Sequence, residues 1–219
     1  MKRLIALLLC ILLAAGFALA EDEESEWTRQ GLAAYNAGDY EKALECFIAG
    51  AEQGDAKAQY NLRRMYQGGV NAELSYEKAV AYWQTAAEQG NAEALFSLGF
   101  CYARGEYVEQ SLEKTAECWQ LAADQGHAEA QDNTAIIYAN GLGVEQSYEK
   151  AAVYWQLAAD QGDANAQYWL GMLYKDGTGV EQSYEKAAAY FQLAADQGLE
   201  EAQMMLDILF SSDVLNTGK

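Results

Sequence analysis

Positive charge is scarce in this chain. Fourteen lysine and arginine residues stand against 33 aspartate and glutamate, for a formal net charge of −19. A surface of that sign stays soluble and repels phosphate backbones and anionic lipid at long range. Nucleic-acid binding is therefore excluded unless one face gathers the few cations. Histidine occurs once, at His127. With no second histidine and the cysteines far apart in sequence, no usual zinc spacing can form, so neither metal nor cofactor is expected. Of four cysteines, Cys10 lies in the apolar start. Cys46, Cys101 and Cys118 then permit at most one bridge, which excludes a cysteine framework.

Long apolar runs are also lacking. The stretch from Leu4 to Leu19 is short for a membrane span. It follows Met1, Lys2 and Arg3 and ends in Ala18-Leu19-Ala20, with small residues at the −3 and −1 positions of a cleavage site. Residues 1–20 thus read as a secretory signal, with an uncleaved anchor as the rival reading. Leu9 stands where a lipoprotein would place a small residue before Cys10. The expectation is an exported chain, periplasmic or extracellular, with no membrane span after cleavage. The mature chain keeps twelve basic residues and a charge of about −21. That surface argues against self-association at low salt, so a monomer is expected. Glu21 to Glu24 read as a solvated start.

What is present in abundance is repetition. Four consecutive blocks of 36 residues start at Asp55, Asn91, His127 and Asp163, and each ends in Gln-Gly. In the last block Ala166, Leu170, Leu173 and Tyr174 mark one buried helix stripe, and Ala187, Tyr190, Phe191 and Ala194 mark a second. Asp176-Gly177-Thr178-Gly179 breaks the chain between them. Ser75, Ser111, Ser147 and Ser183 are placed to cap the second helix, and Asp55, Asn91 and Asp163 the first. His127 is a poorer cap, so fraying is expected there. Gly198 and its counterparts supply the left-handed residue that closes a helix. Residues 25–54 form a related pair turning at Gly38-Asp39. Residues 199–210 form one more first helix, with Leu206 and Phe210 at the repeat's Leu and Tyr positions, and a loose tail follows from Ser211. Each pair is too small to bury its own stripe, so neighbours must stack.

The recurring pattern A-x-A-Q-x-x-L-G-x-x-Y-x-x-G-x-G-V-x-x-S-Y-E-K-A-x-x-Y-x-x-x-A-A-x-Q-G over residues 55–198 resembles the Sel-one-like repeat (SLR) family, relatives of the tetratricopeptide repeat (TPR). The first pair, with Trp27, Gly31, Gly38-Asp39-Tyr40, Ala43 and Phe47, is similar to a TPR unit. Departures are Arg63 for the usual Gly, Thr134-Ala135 for Leu-Gly, and Tyr107 where later turns have Gly143 and Gly179. The resemblance implies an all-α, right-handed α/α superhelical solenoid of TPR/SLR-type helix pairs with about eleven helices. Its segments are 21–54, 55–90, 91–126, 127–162, 163–198 and 199–219. It also implies a protein-interaction adaptor rather than an enzyme, of a kind often exported in bacteria.

In TPR-like arrays the first helix of each pair lines the concave side. Carried over, this places Tyr35, Lys57, Tyr60, Arg64, Phe96, Phe100, Arg104, Asp132, Ile136, Tyr168, Met172 and Lys175 on a groove for a protein or peptide partner. These positions vary between blocks whose structural positions barely change. Several are aromatic, and aromatics carry much of the energy at interfaces. They equally fill gaps between repeats, and both readings stay open. Five of the twelve mature cations are recurring second-helix lysines, at 42, 78, 114, 150 and 186. Lys57, Arg64, Arg104 and Lys175 map instead to the groove, where they could clamp carboxylates.

The alternative is an enzyme acting on β-lactams or cell-wall peptides through a helix-start serine. Ser75, Ser111, Ser147 and Ser183 each precede a lysine by three residues, the nucleophile spacing of penicillin-recognising enzymes. No S-D-N or K-T-G partner accompanies them, and capping explains a serine at every second-helix start. Cys101 and Cys118 fall on antiparallel helices of one block. A bridge between them and two small buried thiols are both consistent with that placement, and Cys46 is expected as a buried thiol.

Overall fold

A computed structural model describes residues 25–68 and 73–211, with side chains from residue 76 onward in the second stretch. The expected signal, the acidic start and the tail after Ser211 lie outside the described residues. Those residues form eleven helices and no strand. They are α1 (Glu26–Asn36), α2 (Tyr40–Glu52), α3 (Ala56–Gln67), α4 (Glu73–Glu88), α5 (Ala92–Arg104), α6 (Leu112–Asp124), α7 (Ala128–Asn140), α8 (Tyr148–Asp160), α9 (Ala164–Asp176), α10 (Tyr184–Asp196) and α11 (Glu200–Ser211). The chain divides into two compact units, one ending at Ala79 and the other beginning at Val80.

In the first unit α1 packs on α2 and α2 on α3. Its helix starts are made by short polar side chains, as the sequence requires. Ser25 Oγ accepts from the Thr28 amide at 3.1 Å, and Asp39 accepts from Lys42 at 3.1 Å. Asp55 caps α3 through the amides of Lys57 and Ala58. The same carboxylate accepts from the Thr28 hydroxyl at 2.6 Å and from Ser25, tying the start of α1 to the start of α3. Burial pushes the Asp55 carboxyl up, but these hydrogen bonds outweigh it and hold the group below its ordinary value.

In the second unit each helix from α5 to α11 packs on the next. Asn91 and Asp163 accept from Ala94 and Ala166 at 2.8 Å each. Ser111, Ser147 and Ser183 accept from Lys114, Lys150 and Lys186 at 3.2 Å each. His127 departs from expectation. Its Nδ1 accepts from the Ala130 amide at 3.2 Å while Nε2 meets the Glu93 carboxylate at 2.9 Å. One tautomer satisfies both contacts, so α7 has a cap that is also braced from the previous repeat. Ser75 departs in the other direction. α4 begins at Glu73, so Ser75 lies inside the helix rather than before it. In later turns Gln110, Gln146 and Gln182 donate to the carbonyls of Ala103, Ala139 and Lys175, holding the chain extended up to the serine. The sequence has Leu74 in that place, which carries no amide to donate.

Glutamines sew the repeats together. Gln131 and Gln167 are buried and donate to Ala123 and Ala159, carbonyls of the preceding repeat. Gln161 and Gln197, from the recurring Gln-Gly ends, donate back to them at 2.7 and 2.8 Å. Buried amides are thus paired rather than orphaned.

Glycine decides how closely the paired helices approach. A Cβ at Gly99 would lie 2.2 Å from Trp119 Nε1, and one at Gly171 would lie 2.7 Å from the Phe191 ring. These glycines let an aromatic of the second helix lie on the first. Gly143, at φ +70, has the Leu112 carbonyl at 2.2 Å from its would-be Cβ, so that turn rests on the backbone of the previous repeat. Tyr107 takes the equivalent place in its own repeat at φ 61, a left-handed conformation that disfavours side chains. On α11, Leu206 is buried as expected but Phe210 is 62% exposed. The corresponding Tyr102, Tyr138 and Tyr174 are each covered by a second-helix lysine, which α11 lacks among the described residues.

The suggested Cys101–Cys118 bridge is absent, and Cys46, Cys101 and Cys118 are buried cysteines without a disulfide. The reason is rotational. α5 meets α6 along Phe96, Gly99 and Phe100 against Thr115 and Trp119. Cys101 is two residues, about 200° of helix rotation, past Gly99, and its thiol donates to the Ser97 carbonyl on its own helix. Cys118 faces instead a recess shared with Leu95 and Leu98.

Candidate functional site

The first unit brings Tyr35, Tyr60 and Arg64 to one side. α1 presents Tyr35, which is exposed and edge-on to Tyr40 at 5.4 Å. α3 presents Lys57, Tyr60 and Arg64, all exposed. Tyr60 is 46% exposed, and the guanidiniums of Arg63 and Arg64 lie 5.3 and 5.7 Å from its ring centre. Such contacts hold cations over an aromatic face without neutralising them. Between α1 and α3 is a recess of about 290 Å³ lined by Tyr35, Asn36, Asn61 and Arg64 over a floor of Leu32, Phe47 and Met65. Among the described residues no carboxylate pairs with Arg64 or Lys57. The sequence singled out Arg64 as a groove residue but marked Arg63 only as a departure. Arg63 is 5% exposed, and its head group joins the same cluster.

The second unit treats its expected site residues unequally. Phe96 is completely buried, enclosed by Phe100 at 5.0 Å, Trp119 at 6.1 Å and His127 at 4.4 Å. Its ring is core, and the packing side of the alternative holds there. Phe100 is half-buried against Phe96 and Trp119. Ile136 and Met172 are half-buried against the apolar clusters of α7–α9 and α10–α11. Arg104 is exposed, with Glu106 at 3.9 Å, and Lys175 pairs with Asp176 at 3.3 Å. Tyr168 is half-buried, 5.7 Å from Phe191 and edge-on to Trp169 at 5.3 Å.

Trp169 was missed from sequence. It is 44% exposed and stacks on buried Trp155 at 5.9 Å and 15°. Trp155 in turn donates its indole N–H to Asp132 at 2.9 Å. A signal was available: Asn61, Ser97 and Asn133 occupy the position of Trp169 in the other repeats. Burial pushes the Asp132 carboxyl up, nearby Asp163 adds to that, and the Trp155 hydrogen bond only partly opposes it.

The serine–lysine pairs that begin at Ser111, Ser147 and Ser183 are not arranged for proton transfer, and the Ser75 side chain lies outside the described residues. Each of these three serine oxygens accepts from the lysine's backbone amide. The ammonium groups of Lys114, Lys150 and Lys186 instead sit 5.0, 4.8 and 4.9 Å over the rings of Tyr102, Tyr138 and Tyr174. Ser111 and Ser147 donate to Glu113 and Glu149. Among the described residues no group of three His, Cys, Asp or Glu is placed to hold a metal ion. No helix among them is long and apolar enough to cross a membrane.

The Sel1 repeat model matches residues 30–55, 56–91, 92–127, 128–163 and 164–199, so it extends to the first helix pair. A protective antigen of uropathogenic Escherichia coli with an SLR fold is similar at a TM-score of 0.73 and 29% identity, over 86% of this chain and 41% of the antigen. A Sel1 repeat protein from Oxalobacter formigenes is similar at a TM-score of 0.67 and 31% identity, over 80% of this chain and 72% of that one. The chain therefore spans less than half the length of the first of these. No curated protein matches it.

Proposed function

The chain belongs to the Sel1 repeat family, whose repeats generally mediate protein interactions, and from that premise we propose that it is an exported scaffold binding a protein or peptide segment on its first-helix face. The observation that carries this is the cluster of Tyr35, Tyr60 and Arg64 at the α1–α3 recess. Exposed aromatic surface is unfavourably hydrated and packs against little, and Arg64 beside it has no carboxylate partner among the described residues. In a chain this acidic, a free guanidinium over an aromatic ring suits a partner's carboxylate beside an apolar side chain. Export rests on the sequence of residues 1–20.

The test is affinity capture from the native envelope fraction, comparing the mature chain with a Tyr60→Ala/Arg64→Ala variant of equal helicity. A partner bound by the first should be lost or weakened roughly tenfold by the second, as for other interface anchors. Equal capture by both would sink the assignment to this face.

A further inference from the structure

We propose that Asp132, Trp155, Tyr168 and Trp169 form a receptor for one cationic side chain, an arginine or lysine, of a protein or peptide segment bound to the second unit. This deepens the interaction reading above and rests on it. Each of the four comes from the helices α7, α8 and α9 of the second unit. Trp169 offers a large exposed face, yet it is not loose. Trp155 backs it in parallel at 5.9 Å and Tyr168 meets its edge at 5.3 Å.

The carboxylate beside it is equally fixed. Trp155 Nε1 holds Asp132 Oδ1 at 2.9 Å, which leaves Oδ2 with no hydrogen-bond partner among the described residues. A half-buried carboxylate is poorly solvated, and Asp163 stands near enough to add to its negative field. The cations of these helices do not relieve it. Lys150 lies over Tyr138 and Lys175 is paired with Asp176. A guanidinium or ammonium arriving from outside would find both an indole ring and a carboxylate acceptor, each held in place by Trp155.

The site also has a local origin in the repeat. In the preceding repeat Gly99 admits the Trp119 indole, which donates to the Phe96 carbonyl at 3.0 Å. Ala135 stands at the corresponding place in α7. There the Trp155 N–H goes to the Asp132 side chain, and its ring lies against Trp169.

The chain has five tryptophans, so ¹⁵N-indole spectra of the full chain give each site its own signal. Titration with acetyl-arginine-amide at millimolar concentration should shift the Trp155 and Trp169 signals saturably. Acetyl-norleucine-amide, of similar reach but uncharged, should not. Asp132→Asn keeps an oxygen for the indole N–H and should weaken the arginine response about tenfold with the spectrum otherwise unchanged. Trp169→Ala should abolish it. An equal response to the uncharged probe, or none to either, would overturn the proposal, as would an unaltered response in Asp132→Asn. Partner loss in the Tyr60→Ala/Arg64→Ala variant is read independently. If it occurs while the arginine titration fails, only the cation receptor falls. If capture is unaffected while the titration succeeds, the first-unit reading falls instead.

Discussion

Replacing Gly99 by alanine sets two effects of opposite sign against each other. In an open helix interior, Gly→Ala stabilises by about 1 kcal/mol through helix propensity. In α5 the new Cβ would sit 2.2 Å from Trp119 Nε1 and 2.3 Å from Cδ1, closer than non-bonded atoms approach. The neighbour is the body of a rigid ring, not the end of a flexible chain. Relief requires the indole to move, at about 1–3 kcal/mol for overpacking. Moving it breaks its 3.0 Å bond to the Phe96 carbonyl, and a buried N–H left unpaired costs about 1–3 kcal/mol. The centre of the first range and the lower end of the second, since the indole is only part-buried, leave a net destabilisation of ~2 kcal/mol after the propensity gain.

The assay is urea unfolding followed by helicity, with the Trp119 indole signal as a local probe, because repeat arrays unfold in parts. Gly99→Ala should lower the midpoint and shift the Trp119 resonance most. Ala135→Gly is the matched control. Ala135 is fully buried in the equivalent place, so it should lose the propensity contribution of about 1 kcal/mol and roughly another 1 kcal/mol for its buried methyl, with the Trp119 signal unmoved. A Gly99→Ala chain at least as stable as its parent would refute the steric lock.

Gly143→Ala should be worse, by roughly 3 kcal/mol, because a left-handed φ and the Leu112 carbonyl both oppose the methyl; thermal melts would show it. Thr134 is 1% exposed and its hydroxyl has no hydrogen-bond partner among the described residues, so Thr134→Val should raise stability by about 1 kcal/mol in the same melts. The Asp132 carboxyl is raised on folding, so its contribution is favourable at low pH and is lost as pH rises through its folded value. Asp132→Asn should therefore melt higher than its parent at pH 7, with the gap closing as pH falls below about 4; a constant gap would show that charge is not the cause. Burial pushes the Cys118 thiol up to about 11 and raises Cys46 as well. Both should resist iodoacetamide in the native chain at pH 8 and react in urea, and a Cys101–Cys118 crosslink in mass spectra would contradict the unbridged state of these cysteines.

The sequence by itself determined whatever is local and repeated. Helix starts at Asn91, Ser147 and Asp163, turns at Gly141 and Gly177, and the 36-residue register follow from short-range backbone chemistry. Four copies of one block state that chemistry four times. His127 caps its helix despite its poor propensity, with Glu93, one repeat away, holding the other ring nitrogen. Tertiary structure decided which side chains remain available. Tyr60 and Phe96 hold the same place in their repeats, yet one is 46% exposed and the other fully buried. Part of the difference lies three residues on, where Gly99 admits Trp119 and Arg63 takes the glycine's place. The same holds for Trp155: where Trp119 donates to the Phe96 backbone carbonyl, the Trp155 indole donates to the Asp132 carboxylate, with Ala135 in the glycine's place. Periodicity specifies the face of a helix, whereas the ring that covers it comes from the partner helix, and one methyl group in the contact changes where that ring can lie.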